Sequence, residues 1–205
     1  MIDHPARRFI QAHSKSIVSL ALRLSLRPNH VTLIGFFISF TSVYFIIYHH
    51  FIMAICMWWV GRICDAFDGI IARGTGQESI FGGFLDLVLD MLVYSSIVVS
   101  FAFIFPQSSI LFLIILVGYV LTITTALALG ELQQRFQILN DNRSLSLASG
   151  LAEAGETGIY YTLVLLFPDY INLFSIIWII VLTISATARI ISVWQLQKRI
   201  ECKPS

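Results

Sequence analysis

DAFDGIIARGTGQESIFGGFLDLVLD, residues 65–90, sets four carboxylates, Asp65, Asp68, Asp86 and Asp90, inside strongly apolar surroundings. An ionised acid in hydrocarbon is costly, so such residues mark function by default. At ~100° per residue, Asp65, Asp68, Gly69 and Ala72 share one face of a helix. Gly82, Asp86 and Asp90 recur every fourth residue and form a stripe on a second helix. Gly74, Gly76 and polar residues join the two, so their acid faces can oppose one another. Four clustered carboxylates repel unless cations lie between them. Oxygen-only ligands select hard cations, Mg²⁺ above all, with Mn²⁺ or Ca²⁺ as alternatives, and four anions can bridge two divalent ions. Mg²⁺ sites keep open positions that phosphate oxygens fill. Arg73, one turn beyond the first acid pair, can hold a further phosphate oxygen, and the small Gly69 and Ala72 leave room against the helix backbone. The residues describe a membrane-embedded Mg²⁺–diphosphate site. The competing reading is a set of ion pairs or a cation pathway.

Working outward, 57% of the 205 residues are hydrophobic and only 12% charged, with mean hydropathy +0.82. A soluble domain carries about a quarter charged residues, so this composition belongs in a bilayer. A net charge of +1, with no basic arm, gives no footprint for nucleic acid. Cys56, Cys64 and Cys202 lack metal-ligand spacing, and the first two read as small hydrophobes in helix. Residues 1–30 lack the clean apolar core of a signal peptide, so insertion is expected through the chain's own spans.

Six apolar runs, about 31–48, 51–72, 83–105, 109–130, 150–167 and 172–195, approach the ~20 residues a span needs. Pro28, Pro106 and Pro168 punctuate them. Ahead of them, residues 1–28 interleave Arg7, Arg8, Lys15, Arg23 and Arg27 with apolar side chains, the pattern of an amphipathic interfacial helix. The expected fold is therefore an all-α integral membrane protein, one domain of six transmembrane helices preceded by that N-terminal amphipathic helix. Lys and Arg fall in the N-terminal segment, in the loops after spans two and four (Arg73, Arg135, Arg143) and in the tail; the alternate loops carry none. Both termini should face the cytoplasm. In this orientation the four aspartates, Glu131, Glu153, Glu156 and Arg189 all converge on the cytoplasmic half.

The pattern D-x-x-D-G-x-x-A-R, eight residues, G-x-x-x-D-x-x-x-D resembles the signature of the CDP-alcohol phosphatidyltransferase family. It stands here as Asp65, Asp68, Gly69, Ala72, Arg73, Gly82, Asp86 and Asp90, every fixed position filled. Length, six spans and the Pro28-Asn29-x-x-Thr32 opening of span one extend the likeness to most of the chain. The resemblance implies a CDP-linked lipid donor, usually CDP-diacylglycerol. It implies that Asp65, Asp68 and Asp86 bind divalent metal and that Asp90 joins at a second ion. It implies contacts from Gly69, Arg73 and Ser79 to cytidine or diphosphate, with Asn29 and Thr32 closing over the nucleotide. Asp90 would also take the proton from the acceptor hydroxyl that attacks the lipid-linked phosphorus and expels CMP. A homodimer is implied too. Ser79 also reads as an ordinary loop serine, and Asn29 and Thr32 as a cap for span one.

The acceptor is less legible. Branches of the family that take a phosphorylated polyol carry basic residues at the end of span four and the start of span five. Here those places hold Leu127, Leu129 and Ala154-Gly155, with Glu131, Glu153 and Glu156 nearby. This departure argues against a strongly anionic acceptor, although Arg135, Arg143 and Arg189 can supply charge. Glycerol 3-phosphate, inositol phosphate, inositol and serine all stay open. Arg189 resembles the family's arginine that points at the acceptor; its alternative is a counter-ion to Glu153 or Glu156. Arg62, a turn deeper than Asp65, is expected to pair with Asp65 or a span-five glutamate. Two other classes compete: an intramembrane prenyltransferase using a Mg²⁺–diphosphate site, and a non-catalytic cation-binding membrane paralogue.

Overall fold

The computed structural model describes residues 18–19, 27–135 and 154–201. Every regular element among them is helical: α1 Pro28–Ile47, α2 Phe51–Thr75, α3 Ile80–Ile104, α4 Ser109–Arg135, α5 Ala154–Leu166 and α6 Ile171–Glu201. Single 3₁₀ turns, Pro106–Ser108 and Pro168–Tyr170, precede α4 and α6. The six apolar runs each coincide with a helix to within a few residues at most ends.

Four stretches are long and apolar enough to cross a membrane: Pro28–Ile47, Ile80–Ile104, Pro106–Leu132 and Pro168–Gln195. α2 has the length, at 25 residues, but carries Arg62, Asp65, Asp68 and Arg73. α5, at 13 described residues, runs about 20 Å, against a hydrocarbon core of about 30 Å. The amphipathic helix expected over 1–28 falls outside the described residues except for Val18, Ser19, Arg27 and Pro28. Val18 and Ser19 are helical, and a Cβ on Gly74 would meet Val18 Cγ2 at 2.5 Å, so Val18 lies against the end of α2.

Local chemistry explains the helix ends. Pro28 occupies the first turn of α1, with Arg27 extended before it and no side-chain cap, the position where a missing N–H costs nothing. Asn29 and Thr32, read as potential caps, instead lie inside the helix. α1 closes with His49 in the left-handed region (φ 59); the His49 and His50 N–H groups donate to Ile46 O at 3.0 Å and Phe45 O at 2.8 Å, a Schellman-type ending. α2 closes with Gly76 (φ 66) and the Gln77 N–H donating to Ala72 O at 3.0 Å. Gly76 supplies a conformation that a side chain would strain.

The chain forms two compact units, Met1–Ile104 and Phe105–Ser205. In the first, α1 packs against both α2 and α3. Gly35, Ser39, Ser42 and Ile46 form its buried stripe. A Cβ on Gly61 would meet Ser39 Oγ and, at 2.9 Å, the Gly35 carbonyl. Small residues let membrane helices approach closely where lipid offers no hydrophobic drive for association. Nearer the acids, Val31 and Ile71 form a small core with Cys64 and Phe67. In the second unit, α6 packs against α4 and α5. Its interior holds a neutral polar network: Tyr119 and Tyr161 hydroxyls 2.9 Å apart, Trp178 Nε1 donating to Tyr119 at 3.2 Å, and Tyr160 and Ser175 hydroxyls 3.1 Å apart.

Candidate active site

Three of the four aspartates converge. Asp65 and Asp68 from α2 and Asp86 from α3 bring carboxylate oxygens within 4.8 Å of one another. Asp68 is buried, and the Thr32 hydroxyl donates to its Oδ2 at 2.5 Å. This bond fixes the orientation of one acid from a third helix. Asp86 Oδ1 is buried with no hydrogen-bond partner among the described residues. Such an atom costs about 1–3 kcal/mol unless something meets it. An oxygen-only trio of like charge with an unmet inward-facing acceptor fits a hard divalent cation.

Asp90 stands apart from the trio. The Arg62 fork grips it through Nη2 to Oδ1 at 2.6 Å and Nη1 to Oδ2 at 2.9 Å. Tyr94 OH donates to Asp90 Oδ2 at 3.2 Å and accepts from Arg62 Nη1 at 3.1 Å. Arg62 also reaches Asp65 Oδ2, at 3.3 Å. The sequence names Asp65 as a partner for Arg62; the structure adds Asp90 as the shorter contact. The cation sits against two rings, 5.2 Å from the Trp58 centroid and 5.5 Å from that of Tyr94.

Beside the trio, a cavity of about 230 Å³ is lined by Asn29, Thr32, Asp68, Gly69, Arg73, Ser79 and Asp86, among others. The nucleotide-contact candidates thus share one wall with two of the acids. A Cβ on Gly69 would lie 3.1 Å from Arg73 Nη1, so the glycine lets the guanidinium fold back over the helix. Ser79 caps α3 by accepting from the Gly82 N–H at 2.9 Å. A Cβ on Gly82 would press on Asn29 Oδ1 and Ser79 Oγ, both at 2.9 Å, so this motif glycine is where α1 and the start of α3 close up.

The acceptor candidates belong to the second unit, apart from Glu153, which lies outside the described residues. Glu131 is exposed and Glu156 half-buried. Arg189 is buried and donates from Nη1 to the Thr122 carbonyl at 2.8 Å. Sequence reasoning missed Tyr94 and Trp58. Tyr94 extends the stripe of Gly82, Asp86 and Asp90 by one more step of four, which is the signal that could have found it.

A family model described as CDP-alcohol phosphatidyltransferase matches residues 25–194. The archaetidylinositol phosphate synthase of Pyrococcus horikoshii is 42% identical over 79 residues, covering 38% of this chain and 42% of that protein. The chain thus spans less than half of that relative's length. Inner membrane protein YnjF of Escherichia coli is 28% identical over 174 residues, covering 83% of this chain and 84% of that one. Among solved structures, the fold is similar to Mycobacterium tuberculosis phosphatidylinositol phosphate synthase in complex with manganese and citrate, with TM-score 0.59, 16% identity and 88% of each chain covered. The same enzyme with CDP-DAG bound gives TM-score 0.59 at 16% identity, over 88% of this chain and 93% of that one. At such identity the likeness concerns the fold. Four bilayer-length apolar helices, in a chain that matches this family, make it an integral membrane protein. The family match runs through both compact units and takes in every position of the acid motif, and on that ground the chain belongs to the CDP-alcohol phosphatidyltransferase family.

Proposed function

We propose that this protein transfers a phosphatidyl group from CDP-diacylglycerol to a small alcohol and releases CMP, a step of phospholipid synthesis. The observation that carries the reading is the adjacency of the three-acid cluster to the cavity lined by Asn29, Thr32, Gly69, Arg73 and Ser79. Asp65, Asp68 and Asp86 would hold divalent metal, Mg²⁺ or Mn²⁺, with Asp90 available to a second ion. The metal supplies charge neutralisation for the diphosphate and the departing CMP. Asn29, Gly69, Arg73 and Ser79 bind and orient the donor, and Thr32 keeps Asp68 in place. Asp90 takes the acceptor proton as the new O–P bond forms and the bond to CMP breaks; such a base must lie within hydrogen-bond reach of the hydroxyl.

In this reading α2 and α5 also cross the bilayer, giving six spans in one domain; the match over 25–194 supports the single domain. Both termini and the acids face the cytoplasm in this reading, with residues 1–28 as an interfacial helix, and the Lys and Arg distribution supports that orientation. Glu131, Glu153, Glu156 and Arg189 are the candidates for the acceptor side, and a homodimer is the expected assembly.

The test is CMP release by purified protein given CDP-diacylglycerol, Mg²⁺ and a panel of acceptors. The archaeal relative's name puts inositol phosphate at its head, followed by inositol, serine and glycerol 3-phosphate. One acceptor should release CMP well above the D90N variant. If none does, the transferase reading is lost, and consumption of prenyl diphosphates alone would favour a prenyltransferase.

A further inference from the structure

The family motif includes neither Arg62 nor Tyr94, yet together they hold the residue on which the proposed reaction turns. We infer that Arg62, seconded by Tyr94, is a positioning residue that fixes the carboxylate plane of Asp90 and leaves one oxygen open to the acceptor hydroxyl. This rests on the reading of Asp90 as the group that takes the acceptor's proton.

Burying Arg62 is costly. A cation at this depth needs partners, and a single counter-ion on its own helix would meet that need. Asp65, three residues on, is such a partner, yet it holds the longer contact, 3.3 Å. The short contacts go to α3. The fork reaches both oxygens of Asp90, at 2.6 and 2.9 Å. Two parallel bonds from a planar guanidinium define an orientation that one ammonium cannot. The guanidinium rests against both Trp58 and Tyr94, 5.2 and 5.5 Å from their ring centroids, and its side chain is only 8% exposed. An arginine so held has little freedom to follow a moving carboxylate.

The hydrogen-bond count identifies the open atom. A carboxylate offers about four lone-pair sites, two per oxygen. Oδ2 accepts from both Arg62 Nη1 and Tyr94 OH, which fills it. Oδ1 accepts from Arg62 Nη2, which leaves one site. Asp90 keeps 20% side-chain exposure, so that site can be reached. The same grip keeps Asp90 out of the trio, whose oxygens close up without it. Arg62 thereby gives the acids different roles. Three gather for the first metal ion, and the fourth is held apart from them.

The test uses the full chain with CDP-diacylglycerol, Mg²⁺ and whichever acceptor supports CMP release, in R62K, R62Q, Y94F, D90N and R62Q/D90N. R62K retains the charge and loses the fork, so kcat should fall about 10- to 100-fold while KM for CDP-diacylglycerol stays within about twofold and the unfolding temperature changes little. Y94F, which keeps the ring and removes one donor, should lower kcat about 3- to 10-fold. R62Q should be no more active than R62K, and R62Q/D90N no slower than D90N alone, because a positioning residue has nothing to position once its target is gone. Wild-type kcat in both R62K and Y94F, with D90N inactive, overturns the role of Arg62 and leaves that of Asp90 standing. A loss in R62K that lies wholly in KM for the donor also overturns it. Wild-type activity in D90N defeats the underlying reading instead, whatever Arg62 does.

Discussion

The two compact units bury polar groups in opposite ways. The first concentrates charge: Asp65, Asp68 and Asp86 converge, with Arg62 and Asp90 alongside. The second buries neutral hydroxyls that satisfy one another, Tyr119 with Tyr161 and Trp178, and Tyr160 with Ser175. Its buried Arg189 donates to a backbone carbonyl. A neutral network closes on itself and asks for nothing from outside. A set of like charges does not: the unmet Asp86 Oδ1 belongs to a carboxylate among carboxylates, whereas the unmet atom among the second unit's described residues, Ser185 Oγ, is a neutral hydroxyl. On the proposed function, the difference separates hydroxyls that pack the second unit from acids that await a ligand in the first.

The sharpest way to break this contrast is D86N. CMP release should fall by more than about 1,000-fold, since the lost charge matters most as the diphosphate is cleaved. Mg²⁺ should raise the unfolding temperature of the wild type and not of D86N, while the metal-free D86N protein should be as stable as wild type or more so. Marked destabilisation without metal would make the acids structural, like the hydroxyls of the second unit. Next comes T32V, which removes the donor to Asp68; activity should drop about tenfold through misplacement of one ligand, read in CMP release and in the Mg²⁺ concentration needed. Packing offers a matched pair. A Cβ on Gly61 meets the Gly35 backbone and Ser39, whereas one on Gly118 meets mainly the Leu182 side chain, which can turn away. G61A should cost about 1–3 kcal/mol and G118A less than about 1, measured by unfolding in detergent. The smallest effect on activity belongs to Y119F: about 1 kcal/mol of stability and CMP release within about twofold of wild type.

Much of the first unit is legible in the sequence because motif and helix period coincide. Steps of three and four put Asp65 beside Asp68 and Asp86 on one stripe with Asp90, and the apolar run ended by Pro106 fixes α3. The separation of Asp90 from the trio is not legible there. It depends on which side chain of the neighbouring helix reaches it, and periodicity on one helix says nothing about the rotamers of another. Thr32 shows the same limit: its place at the opening of span one is readable, its bond to Asp68 is not. In the second unit the sequence offers charged residues as candidates, whereas the buried interior rests on Tyr119, Tyr160, Tyr161 and Trp178, which a hydropathy reading treats as ordinary apolar positions.

Arg62 has a consequence for stoichiometry. With every group ionised, the four aspartates and this arginine leave three negative charges in the site. Arg73 and Glu78, which also line the cavity, offset each other; one divalent ion would then leave the pocket net negative and repel a diphosphate, and a second would turn it net positive by a single charge and attract one. Part of the compensation is thus covalent and cannot dissociate, so donor affinity should rise steeply only as the second ion binds. The chain has in effect built one counter-ion into its own helix and left the rest to solution, so on the proposed function CMP release should respond to metal as a threshold and not a slope.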